Sequence, residues 1–139
     1  MDKDKLILLI EDEPALSKIL QEALLDRGYK VDVAIHGEEG WQKTKELEPR
    51  LVLLDIILPR LDGFVYLKRL RANKHLKDTP VIILSNLGQD SDVAEGRELG
   101  ALDYLVKSNH TIDAILKRVD QVFAWTTNSN KLVHLSGRW

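Results

Sequence analysis

The stretch that decides the fold is LVLLDIILPRLDG, residues 51–63. It opens with four consecutive apolar residues, a pattern typical of a strand buried on both faces of a sheet. Asp55 follows directly, and Pro59 and the pair Asp62–Gly63 then break the chain. The carboxylate of Asp55 therefore lies where a core strand opens into a loop, the place where open α/β sheets bind ligands. A carboxylate there is costly unless a cation meets it, although for a lone aspartate simple capping is the commoner explanation.

Four other short apolar runs alternate with amphipathic segments along the chain. Strands are predicted at residues 5–10, 29–35, 51–54, 79–84 and 102–106, and helices at residues 14–27, 37–48, 63–72, 90–99 and 111–125. Five successive strand–helix units predict a parallel sheet with helices on both faces, joined by right-handed crossovers. The expected fold class is α/β, a doubly wound five-stranded parallel sheet of flavodoxin-like (βα)5 type with strand order 2-1-3-4-5.

Helical spacing also predicts which side chains face the core. The predicted inward residues are Leu16, Ile19, Leu20, Ala23 and Leu24 in the first helix, Trp41 in the second, and Phe64, Leu67 and Leu70 in the third. Gly96 interrupts the fourth helix, where a glycine costs roughly 1 kcal/mol relative to alanine.

Composition narrows the class of protein. The chain has 139 residues, a formal net charge of -2 from 20 basic and 22 acidic side chains, and no cysteine. It therefore fits one domain, with neither disulfides nor thiolate chemistry. The sequence has no stripe of basic residues of the kind that indicates direct nucleic-acid binding. No apolar run is long enough to span a membrane, and the N-terminus lacks a signal-peptide core, so we expect a cytoplasmic protein without membrane insertion.

Polar side chains follow four of the five predicted strands. Glu11 and Asp12 come after the first strand, Asp55 after the third, Ser85 after the fourth and Lys107 after the fifth. In a sheet of order 2-1-3-4-5 these strands are neighbours, so we expect their polar ends to converge at one edge. Each residue alone says little, whereas five such residues at four strand ends together indicate a site.

The acids after the first strand have a second interpretation. Glu11, Asp12 and Glu13 precede Pro14, which suits the first turn of a helix, and acidic residues are favourable at a helix N-terminus. Capping explains one or two of these acids. It does not explain why they directly adjoin a buried strand.

The expected cluster has a definite chemistry. Carboxylates without histidine or cysteine among them suit Mg²⁺ rather than zinc. A metal ion could neutralise the acids and hold a phosphoryl group, whose oxygens Lys107 and Ser85 could bind. Aspartate is a known covalent acceptor of phosphate. The four histidines share no ligand spacing and are expected at the surface: His36, His75, His110 and His134.

These residues resemble the receiver domains of two-component response regulators, the CheY-like family, over about residues 6–125. The resemblance is carried by the pair Glu11–Asp12, the stretch LDIILPRLDG at residues 54–63, Ser85, the stretch GALDYL at residues 100–105, and Lys107. It implies that Asp55 is the phosphoacceptor. Asp12 would be a direct Mg²⁺ ligand, Glu11 would act through water, and the backbone carbonyl of Ile57 would complete the protein ligands with Asp55.

The resemblance also implies a switch. Lys107 would pair with the acceptor and then with the phosphoryl group, Ser85 would move to bond that group, and Tyr104 would follow by turning inward. Alternatively, Tyr104 only packs against the sheet. Two positions depart from the family pattern: Ser108 stands where a proline is usual, often after a cis bond, and Asn86 stands where a small residue is usual.

The expected function is that of a single-domain response regulator at residues 1–125, followed by a linker and short tail at residues 126–139. It would take its phosphoryl group from a sensor histidine kinase or a histidine phosphotransfer protein and signal to a downstream protein. It would assist its own phosphorylation and dephosphorylation without being an enzyme otherwise. The mixed charges around the fourth helix, fifth strand and fifth helix leave a homodimer open.

Three rival functions remain. A haloacid-dehalogenase-type phosphatase would also use Asp55 as nucleophile, but it requires a second aspartate two residues later, where this chain has Ile57. A flavodoxin-like nucleotide binder wants a phosphate-cradling loop after the first strand, where the sequence EDEP would repel phosphate. The third rival is a degenerate receiver that only docks partner proteins.

Overall fold

Five parallel strands form a single sheet. The structure, a computed structural model, describes the backbone of residues 3–129 and the side chains of residues 4–124. The strands are β1 (Leu6–Ile10), β2 (Lys30–Ala34), β3 (Leu51–Leu54), β4 (Val81–Ser85) and β5 (Asp103–Val106). Their order is β2-β1-β3-β4-β5, which confirms the predicted fold class and strand order.

Five helices connect and cover the strands. They are α1 (Pro14–Asp26), α2 (Gly37–Leu47), α3 (Gly63–Ala72), α4 (Asp90–Glu98) and α5 (Ile112–Ser129). Local sequence explains their ends. Gly28 takes a positive φ of 92° after α1, and Asp62 begins α3 by accepting a hydrogen bond from the backbone N–H of Phe64 at 2.7 Å, as an aspartate N-cap does.

The core lies on both faces of the sheet, because the strands are apolar on both sides. In β1, Ile7 and Leu9 belong to the cluster that also contains Leu20 and Leu24 of α1 and side chains of α5. Leu8 and Ile10 point the other way, into the cluster that contains Tyr66 and Leu67 of α3. The alternation follows from the two-residue period of a strand.

Most predicted inward residues are confirmed, and one is wrong. Phe64, Leu67 and Leu70 are buried, whereas Ile19 is 51% exposed. The buried stripe of α1 runs through Ser17, Leu20 and Leu24, and a residue one position before Leu20 is rotated by about 100° out of that stripe. Trp41 is partly buried against the second cluster.

Most boundaries lie within one residue of the sequence prediction, and two elements differ by more. β4 begins at Val81 and includes Ser85 as its last residue. α5 continues to Ser129, past the predicted end at residue 125 and through most of the segment predicted as a linker. The rest of the predicted tail, residues 130–139, lies outside the described residues. Across the described part of the chain, no helix combines the length and apolarity needed to span a membrane.

Candidate functional site

The carboxyl ends of β1, β3 and β5 bring one ammonium group against two carboxylates. Lys107 Nζ lies 2.7 Å from Glu11 Oε1 and 2.8 Å from Asp55 Oδ2. All three side chains are largely shielded from water, and Glu11 is only 1% exposed. Because an unpaired charge would be costly at this depth, the ion pairs with Lys107 offset part of the cost of burying both carboxylates.

The two buried carboxylates are also oriented by backbone donors. Glu11 Oε2 accepts a hydrogen bond from the N–H of Glu13 at 3.1 Å, and Asp55 Oδ1 accepts one from the N–H of Ile56 at 2.7 Å. Glu13 itself is the N-cap of α1 but makes no side-chain capping hydrogen bond. The capping interpretation of the acidic run therefore finds no support at Glu13.

Three acids are close enough to share a cation. Glu11, Asp12 and Asp55 each offer an oxygen, and these oxygens lie within 4.8 Å of one another. Asp12 is exposed while the other two are buried, so the cluster has a deep side at Lys107 and an open side toward solvent. An all-oxygen set that leaves room for water suits a hard divalent cation such as Mg²⁺. Ile57, whose carbonyl is the remaining expected ligand, has a side chain that is 58% exposed.

Burial and ion pairing have opposite effects on the pKa values of Glu11 and Lys107. Burial raises the pKa of Glu11 from 4.5 to about 7; the hydrogen bond from Lys107 opposes this rise, and the nearby charge of Asp55 adds to it. Burial also disfavours the ammonium of Lys107, but its hydrogen bonds to Asp55 and Glu11 outweigh burial and raise its pKa. The lysine is therefore held as a cation, and burial makes Glu11 easier to protonate than an exposed glutamate.

A second set of predicted residues lies beside this ionic group. Ser85 is fully buried at the end of β4, and its Oγ accepts a hydrogen bond from the N–H of Leu87 at 3.3 Å. Tyr104 of β5 is only 7% exposed, and its hydroxyl donates to the carbonyl of Leu87 at 2.5 Å. Burial raises the pKa of Tyr104 to about 12, and the nearby carboxylate charges of Asp92 and Asp55 add to this. The phenol is therefore a neutral donor.

The ring of Tyr104 lies inward in this structure. The resemblance implied that Tyr104 turns inward after phosphorylation, but here its ring is already inward and bonded to the loop between β4 and α4. The N–H of the same residue, Leu87, donates to Ser85 Oγ. Tyr104 and Ser85 thus share the backbone of Leu87 as a hydrogen-bond partner.

The two departures from the family pattern leave the site intact. Ser108 lies in a turn of 3-10 helix (Lys107–Asn109), and the described residues contain no cis peptide bond, so the Lys107–Ser108 bond is trans. Lys107 nevertheless reaches both carboxylates. Asn86 is exposed. Among the histidines, His36 accepts a hydrogen bond from the N–H of Glu39 at 3.1 Å and so caps α2.

Sequence reasoning missed two features, one at the site and one at the opposite edge of the sheet. One is the backbone of Leu87, which binds both Ser85 and Tyr104; a backbone role leaves no mark in the sequence. The other is Arg71 at the end of α3. Its guanidinium donates to four backbone carbonyls at 2.8 to 3.0 Å, those of Lys77, Thr79, Leu99 and Gly100. An arginine in an amphipathic helix reads as a surface residue, so no sequence signal pointed to this role.

A family comparison agrees with the site. The sequence profile of the response regulator receiver domain matches residues 7–120 of the chain. The chain belongs to this family. Receiver domains of this kind form part of two-component systems and interact with histidine kinases. The recognition made from the strand-end residues is therefore confirmed.

Relatives with curated functions are transcriptional regulators. The chain is 38% identical over 122 residues to the DNA-binding dual master transcriptional regulator RpaA of Synechocystis sp., a match that covers 84% of this chain and 51% of RpaA. It is 37% identical to the alkaline phosphatase synthesis transcriptional regulatory protein PhoP of Bacillus subtilis, covering 83% of this chain and 50% of PhoP. The chain thus spans about half the length of these relatives.

Solved receiver structures share the fold. The Mn(2+)-bound form of response regulator Rcp1 is 33% identical, with a TM-score of 0.71, covering 79% of this chain and 86% of Rcp1. The BeF3-activated N-terminal receiver domain of Klebsiella pneumoniae RstA is 28% identical, with a TM-score of 0.77, covering 85% of this chain and 97% of that domain.

Proposed function

We propose that this receiver accepts a phosphoryl group on Asp55 from a phosphohistidine of a sensor histidine kinase or a histidine phosphotransfer protein. The observation that carries the proposal is the position of Lys107, whose Nζ lies within 2.8 Å of both Asp55 and Glu11. Asp12 completes an acidic cluster on the open side. A carboxylate, an ammonium group and an acidic cluster suited to a metal ion therefore lie together at one edge of the sheet. Phosphoryl transfer needs groups of these three kinds.

The proposed transfer exchanges one bond to phosphorus for another. A carboxylate oxygen of Asp55 attacks the phosphorus, the bond from phosphorus to the donor's imidazole nitrogen breaks, and its electron pair stays on the imidazole. The backbone N–H of Ile56 holds Asp55 in orientation through Oδ1. Lys107 faces Oδ2 and can move its ammonium from the carboxylate to an oxygen of the acyl phosphate, where it balances the transferred charge.

The acidic cluster fits Mg²⁺ because its donors are all oxygens and are close together. Glu11, Asp12, Asp55 and the backbone carbonyl of Ile57 would hold the ion. A bound Mg²⁺ would neutralise the acids and the charge on the phosphoryl oxygens. Asp12 lies on the open side, where a phosphoryl donor from solvent would approach.

Signalling would follow from a change of partner at Ser85. Its Oγ accepts from Leu87 N–H in this structure and would instead donate to a phosphoryl oxygen on Asp55. Tyr104 shares the same loop through the carbonyl of Leu87, so the shape of the loop and of α4 would change with it. A downstream protein would read that change, and the chain would assist no reaction other than its own phosphorylation and dephosphorylation.

The docking-only alternative rested on Ser108. The trans bond and the short turn that follow Lys107 leave its ammonium against both carboxylates, which supports a working phosphorylation site. Action as a single domain belongs to the same proposal. The chain spans about half the length of RpaA and PhoP, so the comparison with these relatives does not test it.

Phosphorylation by a small donor tests the proposal directly. Incubation with acetyl phosphate and Mg²⁺ should add one phosphoryl group, located on Asp55 by mass spectrometry of peptides. Asp55→Asn should abolish the addition, since the change is nearly isosteric but removes the nucleophile. Asp12→Asn should lower labelling at limiting Mg²⁺, and Asp26→Asn, an exposed acid at the end of α1, should label normally. Full labelling of Asp55→Asn would disprove the assignment.

A further inference from the structure

Gly96 lies inside α4, where a glycine costs roughly 1 kcal/mol relative to alanine. It is buried and has no role in the site itself. A methyl group on this residue would lie 2.8 Å from Ile83 Cδ1 and 3.0 Å from Tyr104 Cδ2, closer than the favourable carbon–carbon separation of about 3.5–4.0 Å. A methyl group on Gly96 would therefore overlap the end of the Ile83 side chain and press tightly against the inward ring of Tyr104.

The ring of Tyr104 and the glycine fit against each other. The ring is largely buried, and its hydroxyl donates to the carbonyl of Leu87 in the loop that leads into α4. Gly96 lies in the same helix, close to the ring edge. Tyr104 is thus bound to the loop before the helix through its hydroxyl and packed against the helix through its ring.

We propose that Gly96 sets the rest position of Tyr104: the missing side chain lets the ring lie inward before Asp55 is phosphorylated, so that the receiver rests with this switch residue already engaged. One consequence of the inference rests on the proposed function: the surface formed by α4 and β5 would already be close to its signalling shape in the unphosphorylated protein. The inward position of the ring is an observation of this structure and does not rest on the proposed function.

The two neighbours of Gly96 differ in how they can respond to a methyl group. Ile83 is fully buried in β4, with strands on both sides, so its displacement would disturb the core. Tyr104 lies on β5, an edge strand, and its ring can turn out to solvent at the cost of the bond to Leu87. Gly96→Ala should therefore favour the helix through its propensity and yet drive Tyr104 outward.

The exposure of Tyr104 can be measured in the unphosphorylated protein. The chain has three tyrosines, so ring resonances of tyrosine-labelled protein can be assigned by Tyr104→Phe and probed with a soluble gadolinium chelate. In the wild type, Tyr104 should be protected nearly as well as the fully buried Tyr66. In Gly96→Ala, its relaxation by the chelate should rise several-fold, while that of Tyr66 stays low.

Two variants separate this role from simple helix packing. Gly40→Ala is the matched control, because Gly40 lies in α2 and the three atoms nearest to a methyl group there all belong to Ile10, with Cδ1 at 2.6 Å. It should leave Tyr104 protected. The double variant Gly96→Ala/Ile83→Val removes the contact with Cδ1 only, and Tyr104 should remain exposed. If Ile83→Val restores the protection, the glycine serves sheet packing and the inference is wrong.

Phosphorylation distinguishes a failure of the inference from a failure of the proposed function. On labelling with acetyl phosphate and Mg²⁺, wild-type Tyr104 should change little, whereas in Gly96→Ala its protection should partly return. A wild-type Tyr104 that is exposed at rest and becomes protected only after labelling would overturn the inference and leave the phosphorylation site standing. Absence of labelling would instead count against the proposed function, and the rest position in both proteins would still decide the role of Gly96.

Discussion

Two groups of side chains meet at the carboxyl edge of the sheet, and they are held by different forces. The charged group, Glu11, Asp55 and Lys107, is joined by ion pairs of 2.7 and 2.8 Å in a largely buried position. The neutral group, Ser85 and Tyr104, is joined to the backbone of Leu87 by hydroxyl hydrogen bonds. The charged group spans β1, β3 and β5, and the neutral group spans β4 and β5.

Under the proposed function, this difference would give the phosphoryl chemistry to the charged group and the signalling to the neutral group. Buried charges that lose a partner are costly, so the geometry of the charged group is fixed before a phosphoryl donor arrives. A neutral hydrogen bond contributes only about 1 kcal/mol net. A phosphoryl oxygen can therefore replace the present partner of Ser85 at little cost, and the loop that carries Leu87 can rearrange.

The far end of α4 limits where that rearrangement can go. Arg71 donates to the carbonyls of Leu99 and Gly100 just after α4. It also donates to the carbonyls of Lys77 and Thr79 before β4. Because guanidinium bonds are charge-assisted and planar, the C-terminal end of α4 is fixed to α3, and only its N-terminal end shares the loop with the neutral group.

The largest effect should come from removing the cation of the charged group. Lys107→Met keeps the length of the side chain but leaves two buried carboxylates side by side, and we expect it to lower the free energy of unfolding by about 3 kcal/mol near neutral pH. Added Mg²⁺ should restore part of the loss because it replaces the missing positive charge. Urea unfolding with and without Mg²⁺ measures both effects.

The control for Lys107→Met is a lysine in an exposed pair. Lys117 lies 3.3 Å from Asp113, and both side chains are well exposed, so Lys117→Met should cost no more than about 0.5 kcal/mol. If the two variants lose the same stability, the charged group is not tightly held and the comparison between the groups fails.

Sequence alone predicted much of this fold because its signals are strong and local. Continuous apolar runs fix the buried strands, and residues such as Asp62 and Gly28 fix helix ends. Ile19 was wrongly predicted to be buried because the sequence does not show how the helix is rotated about its axis against the sheet. The end of α5 was misplaced because the polar residues at 126–129 are compatible with both a helix and a linker.

The next effect concerns the proton affinity of the charged group. The pKa of Glu11 is raised to about 7 in the folded protein, so between its ordinary value of 4.5 and this value the folded protein binds a proton more strongly than the unfolded chain. The stability that Glu11 contributes is therefore fully present below pH 4.5 and is lost as the pH rises through 7. Glu11→Gln should remove this dependence.

Urea midpoints of the two proteins over this pH range test the prediction. The stability of the wild type relative to Glu11→Gln should fall as the pH rises, and Mg²⁺ should offset the fall at the alkaline end, where the carboxylate is ionised and able to bind it. Parallel curves for the two proteins would show that Glu11 titrates at its ordinary value, which would contradict the buried position of its carboxylate.

More of the charged group than of the neutral group could be predicted from the sequence. Glu11, Asp12, Asp55 and Lys107 stand at strand ends, and strand order alone brings such residues together. The inward position of Tyr104 was not predictable, because it depends on the space beside Gly96 and on a backbone carbonyl. In the sequence, Gly96 is visible only as a weak point in a helix.

The smallest effect should come from the neutral group. Tyr104→Phe removes the hydroxyl that donates to Leu87 but keeps the ring beside Gly96, so we expect a loss of about 1 kcal/mol in the free energy of unfolding. Labelling of Asp55 by acetyl phosphate should be unchanged, because the charged group contains no atom of Tyr104.

Tyr29→Phe provides the matched comparison, since its hydroxyl donates to Asp120 at 2.6 Å at a position away from the site. A bond to a charged acceptor is worth more than one to a carbonyl, so Tyr29→Phe should cost at least as much stability as Tyr104→Phe. Only Tyr104→Phe should change how the amides between β4 and α4 exchange with solvent when Asp55 is phosphorylated. If Tyr104→Phe instead blocks labelling or destabilises as much as Lys107→Met, chemistry and signalling are not divided between the two groups.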